Sequence, residues 1–90
     1  MRNIQKKKSA LFIDITSELC PLTFVKTKLA LETLKDGEIL EVRLKGKEPL
    51  ENVSLSAKEH GHTILSQTPE TMDQPTFGPH RLFIQKHLSP

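Results

Sequence analysis

Residues 38–45, EILEVRLK, alternate without interruption: Leu40, Val42 and Leu44 fall on one side, Glu41, Arg43 and Lys45 on the other. A period of two with apolar residues on one side reads as a β-strand with one buried and one wetted face. A helical segment opening on proline lies on each side of this strand. Pro21 suits a first helical position, where its missing N–H would be unpaired in any case. The first helix is therefore expected from Pro21 to about Lys35, with Cys20 at its N-cap and Asp36-Gly37 ending it. The second follows Gly46-Lys47-Glu48, with Pro49 in its first turn, Leu50, Val53 and Ala57 at helical spacing and Gly61 closing it. Helices between strands act as crossovers, so the strands they join are expected to run parallel.

The rest of the chain completes the pattern. In ALFIDIT, Leu11, Ile13 and Ile15 share one face, which reads as a first strand. HTILSQ reads as a third strand, and HRLFIQKH as a last one with Leu82 and Ile84 together. Between them, residues 68–79 hold three prolines and one glycine and read as a loop, with Phe77 pinning one end. The order is βαβαββ, an α/β fold whose last strand returns antiparallel. Residues 10–88 form a single domain, preceded by a flexible basic tail over residues 1–9. With neither Trp nor Tyr, the core is expected to come from Leu, Ile, Val and Phe12, Phe24, Phe77 and Phe83. The apolar residues of the first helix form no single stripe: Val25 and Leu29 lie together, while Phe24, Leu31 and Leu34 fall elsewhere. Cover on two sides and a partner-binding face both fit that pattern.

Composition excludes several classes. A net charge of +2 is too small for a protein dominated by phosphate contacts. The run Lys6-Lys7-Lys8 reads as a solvated tail, and scarce aromatic residues count against nucleic acid as a partner. One cysteine forms no internal disulfide. No apolar run is long enough for a signal peptide or a membrane span, so a cytoplasmic setting without membrane contact is expected. Paired carboxylates, a Ser-His-Asp set and a glycine-rich phosphate loop are all missing, and no cofactor is called for. His60-Gly61-His62 offers two imidazoles where a structural zinc site takes four ligands; a helix cap is the stronger reading, and no metal is expected.

Cys20 is the candidate for chemistry. The unpaired N–H groups and dipole at a helix start favour a thiolate, the reactive form of cysteine. Lys26 and Lys28 on the next turns add positive potential, and Glu18 opposes it. The competing reading is a buried cysteine acting as a small apolar residue. A lone thiol has no neighbour to displace sulfur bound to it, which disfavours a dithiol redox role and permits a carrier role.

The run Asp14-x-x-Ser17-x-x-Cys20-Pro21-Leu22-Thr23, followed by Lys26-x-Lys28, resembles the TusA-like (SirA-like) sulfur-carrier family. So does Glu48-Pro49-Leu50-Glu51-Asn52-Val53 leading to Gly61-His62. The resemblance covers about residues 10–87. It implies a two-layer sandwich with a mixed four-stranded sheet, strand order 1-2-4-3 and both helices on one face. It also implies that Cys20 takes sulfur as a persulfide from a donor such as a cysteine desulfurase and passes it to an acceptor protein. Ser17 stands where the family usually has Gly, and Thr23 where it has a second Pro. The first change is expected to restrict the approach loop, because Ser avoids positive φ. A functional alternative on the same fold is a non-catalytic regulatory or binding module for RNA or a protein.

Overall fold

The computed structural model describes residues 9–19 and 21–88. Six elements follow in the expected order: β1 (Leu11–Asp14), α1 (Leu22–Glu32), β2 (Ile39–Leu44), α2 (Lys47–Glu59), β3 (Thr63–Pro69) and β4 (His80–Gln85). The strands form one mixed sheet in the order β1-β2-β4-β3. β1 runs parallel to β2, with Leu11 opposite Leu40 and Ile13 opposite Val42. β4 is antiparallel to both of its neighbours. Most of the expected basic tail, including Lys6-Lys7-Lys8, lies outside the described residues. Ser9, at its end, donates to the Glu41 carboxylate at 3.1 Å.

The alternation in β2 and β4 sets the core. Leu40, Val42, Leu44, Leu82 and Ile84 are all 0% exposed, and Leu50, Val53 and Ala57 of α2 close over them. Each fully buried aliphatic side chain contributes about 1.5–3 kcal/mol through removal from water. Of the four phenylalanines expected in this core, Phe24 packs against it while partly buried, and none is among its buried residues. Phe12 and Phe77 are exposed, and Phe24 and Phe83 are half-buried. Phe12 lies between the inward-facing Leu11 and Ile13, so the strand period turns it to the open face.

α1 departs from expectation at both ends. Pro21 occupies the N-cap and Leu22 is the first helical residue, one position later than expected. The helix ends at Glu32 rather than near Lys35. The Thr33 hydroxyl donates to the Ala30 carbonyl at 2.7 Å, and the Thr33 and Leu34 amides bond three residues back, which tightens the last turn. Gly37, with φ +87°, therefore does not close the helix; it sits in the turn where the Glu38 amide donates to the Lys35 carbonyl at 3.0 Å. Gly61 does close α2, with φ +92°, its amide on Lys58 and the His62 amide on Ala57. That double bond is a Schellman ending, which needs a left-handed residue at this point. β3 runs on to Pro69, beyond the expected HTILSQ segment.

Candidate functional site

β1 delivers the chain to the start of α1 through two consecutive turns. Ile15 is 2% exposed and anchors the first, in which the Glu18 amide donates to the Ile15 carbonyl at 3.1 Å. Asp14 fixes the way in: one carboxylate oxygen accepts the Thr16 hydroxyl at 2.7 Å and the Thr16 amide at 2.9 Å. In the second turn the Leu22 amide donates to the Leu19 carbonyl at 2.7 Å. Cys20 lies between those residues in sequence and falls outside the described residues. The scaffold on both sides of it is nonetheless set: Leu19 is exposed, Pro21 is the N-cap and α1 begins at Leu22.

The helix start keeps its positive end. Pro21 supplies no side-chain cap, and no acidic residue occupies the first turn. The free amide ends of a helix favour an anion placed before them. Ser17 adopts no positive φ, consistent with the restriction expected of serine at this point in the approach turn. Thr23 is 0% exposed, and its carbonyl accepts the Thr27 hydroxyl at 2.8 Å. The hydroxyl residues thus take the inward side of α1, while Leu22, Val25 and Leu29 face out with 47%, 44% and 55% exposure. Leu22, Val25 and Leu29 therefore form an outward apolar stripe on α1.

The two lysines diverge. Residues two apart on a helix point about 200° from each other. Lys26 pairs with Glu18 at 2.6 Å and ties the approach turn to α1. Lys28 instead lines a cleft between α1 and α2. Lys86 lines the same cleft, and no sequence reading singled it out. Its side chain is 7% exposed, and its ammonium donates to the carbonyls of Leu31 and Leu34 at 2.5 and 3.2 Å. The signal was available: Leu82 and Ile84 face inward, and the same alternation carried one step further points Lys86 inward. His60 and His62 also separate. The first donates through Nδ1 to the Ser56 carbonyl at 2.8 Å, and the second accepts the His87 amide at Nδ1 at 3.1 Å. Among the described residues no group of three or more His, Cys, Asp or Glu is placed to hold a metal ion.

Sheet order and crossover pattern define a SirA-like α/β sandwich. A solved SirA-like protein from Desulfitobacterium hafniense has the same fold, with a TM-score of 0.66 over 87% of this chain and 99% of that one at 18% identity. Residues 11–86 match the family described as Sulfurtransferase TusA, and the chain belongs to that family. "Putative sulfur carrier protein YedF" of Escherichia coli K12 is 39% identical over 74 residues, 82% of this chain and 88% of that protein. A "Putative sulfur carrier protein" of Archaeoglobus fulgidus is 44% identical over 54 residues, 60% of this chain and 61% of that protein's length. Among the described residues, no helix is long and apolar enough to cross a membrane.

Proposed function

We propose that this protein is a sulfur carrier in which Cys20 accepts sulfur as a persulfide and relays it to another protein. The observation that supports the reading is that, in a chain of the sulfurtransferase family, the one cysteine immediately precedes in sequence Pro21, the N-cap of α1. In the acceptance step, the Cys20 thiolate attacks the outer sulfur of a donor persulfide. A new S–S bond forms on Cys20, the donor's S–S bond breaks, and the donor cysteine leaves as a thiolate. No net oxidation occurs, and no cofactor enters. Onward transfer repeats the exchange in the opposite role.

The residues around Cys20 have distinct parts in this reading. The uncapped start of α1 favours the thiolate and then the persulfide anion. Pro21 fixes the backbone at the helix entry, and Lys26 holds the approach turn through Glu18. Lys28 adds positive charge further along the helix. The apolar stripe Leu19, Leu22, Val25 and Leu29 is the surface that meets donor and acceptor proteins, a cysteine desulfurase being the expected kind of donor. The test is intact-mass analysis after incubation with a cysteine desulfurase and cysteine. A reducible single-sulfur adduct mapping to Cys20 supports the carrier reading. An unmodified chain, under conditions that load a known carrier, favours a binding module instead.

A further inference from the structure

We propose that the cleft between α1 and α2 is a binding site for a small amphipathic anion: an apolar body bearing one carboxylate. The cleft encloses about 520 Å³, within the range of small-molecule sites. Phe24, Leu31, Val53 and Ala57 contribute apolar side chains to it. Charge at its margins has one dominant sign. Lys86 is buried in its wall, bonded only to the two helix-end carbonyls, and among the described residues no carboxylate lies within ion-pair distance. Two carbonyls occupy two of the three ammonium donors. The carbonyls at the negative end of α1 offset part of that charge, and with no carboxylate partner the remainder leaves a positive field in its surroundings.

The other groups around the opening reinforce that field. Lys28 has no ion-pair partner among the described residues, and Glu32 is the one carboxylate in the lining. His60, His62 and His87 complete the polar margin. The field already registers on His62. Burial pushes its imidazole below the usual histidine range, and the charges of Lys86, His87 and His60 push it further the same way. Its Nδ1 accepts the His87 amide, so a neutral His62 carries its proton on Nε2. Apolar walls with a cationic margin suit an anion with an apolar body. A simple inorganic anion leaves the walls unused, and an amphipathic cation meets repulsion. The cleft borders the exposed stripe at Val25 and shares Lys28 with the carrier reading, but its test does not depend on sulfur transfer.

The test is titration of the full chain with octanoate, followed by amide and imidazole NMR. Saturable shifts are expected at cleft residues, and the His62 imidazole should titrate at higher pH as the bound carboxylate offsets the positive field. Lys28→Glu, at an exposed position, should weaken octanoate about fivefold, and octylamine should bind wild type at least about tenfold more weakly than octanoate. Acetate should give no saturable shifts. Equal binding of octylamine and octanoate overturns the proposal, as do octanoate shifts confined to Leu19, Leu22 and Leu29, the stripe residues that do not line the cleft. A Lys28→Glu affinity equal to wild type, or closure of the cleft by a second copy in sedimentation, also overturns it.

Discussion

Arg43 on β2 and Arg81 on β4 are register partners, two cations directly opposite each other, and one carboxylate joins them. Glu70 accepts from Arg43 Nε at 2.8 Å and from Arg81 Nε at 2.6 Å, while its other oxygen takes Arg43 Nη2 at 3.2 Å. Arg43 also reaches Asp14 at 3.2 Å. Arg81 pairs with Glu41 and lies 5.1 Å from the centre of the Phe12 ring. This network crosses β1, β2, β4 and the residue following β3, and it spans the sheet face opposite the helices. Asp14, at one end of it, also fixes the turn that leads to Cys20.

The network carries a pH dependence. Hydrogen bonds from Arg43 and Arg81 hold the Glu70 carboxyl below the ordinary range, and the Thr16 hydroxyl and amide, with Arg43, do the same for Asp14. A carboxyl with a lowered folded pKa takes up its proton later than in the unfolded chain. Its stabilising contribution is therefore present above the ordinary carboxylate pKa and is lost as pH falls through the lowered folded value. Glu70→Gln should lower Tm at pH 7, flatten the acid side of the stability curve and lose part of its effect at high salt. Thermal melts between pH 7 and pH 3 check this; identical acid profiles for variant and wild type contradict it.

The core is aliphatic, so two truncations should separate clearly. Leu82→Ala removes a fully buried side chain and should cost about 2–5 kcal/mol. Phe12→Ala removes a larger but exposed ring and its contact with Arg81, and should cost under about 1 kcal/mol. Urea unfolding measures both, and the reverse ranking contradicts the assignment of the core.

The outward stripe of α1 should matter to exchange and not to folding. Leu29→Glu is expected to change stability by no more than about 0.5 kcal/mol, because the position is exposed. Sulfur acceptance from a cysteine desulfurase should slow about tenfold, the effect of losing one good interface contact. Loading rates for wild type and variant, with melts run alongside, separate the two effects. An unchanged loading rate removes the stripe from the docking surface.

The segment from Thr68 to Pro79 is tied at defined points. Gln74 accepts the Thr71 amide at 3.1 Å and donates to the Pro79 carbonyl at 2.7 Å, and the Phe77 carbonyl accepts the Gly46 amide at 2.8 Å. Phe77 thus holds the loop through its backbone, with its ring exposed. Loops held by a few such bonds open more readily than sheet centres. Amide exchange between Glu70 and Phe77 should outpace that of residues 40–44; equal protection contradicts the expectation.

The strands and the inward residues of β2 and β4 were legible because strict alternation leaves one arrangement for each strand, whereas the sheet order followed only from the family resemblance. α1 was less legible, because its periodicity conflicts with its packing. Thr23 and Thr27 are buried, with the Thr27 hydroxyl bonded to the Thr23 carbonyl, and leucine and valine face outward. Its early end depends on Thr33 and on Lys86, which is remote in sequence and reaches the helix only in the fold. Glu70 gave no local signal either, since its two arginine partners come from different strands. Cys20-Pro21 was legible as a helix boundary to within one residue, whereas the divergence of Lys26 and Lys28 followed only from what each side chain meets.

The carrier account stands on Cys20, and labelled-sulfur transfer tests it most directly. Wild type and Cys20→Ser are incubated with a cysteine desulfurase and sulfur-labelled cysteine, and label is counted on the chain before and after reduction. Serine differs from cysteine by a single atom, so the variant should stay folded with an unchanged melt. Wild type should take up close to one labelled sulfur per chain, lose it on reduction and load faster as pH rises through a thiolate pKa below the ordinary cysteine value of about 8.5. Cys20→Ser should take up none. Equal labelling of the serine variant, or an unlabelled wild type beside a carrier that loads normally, would contradict the account.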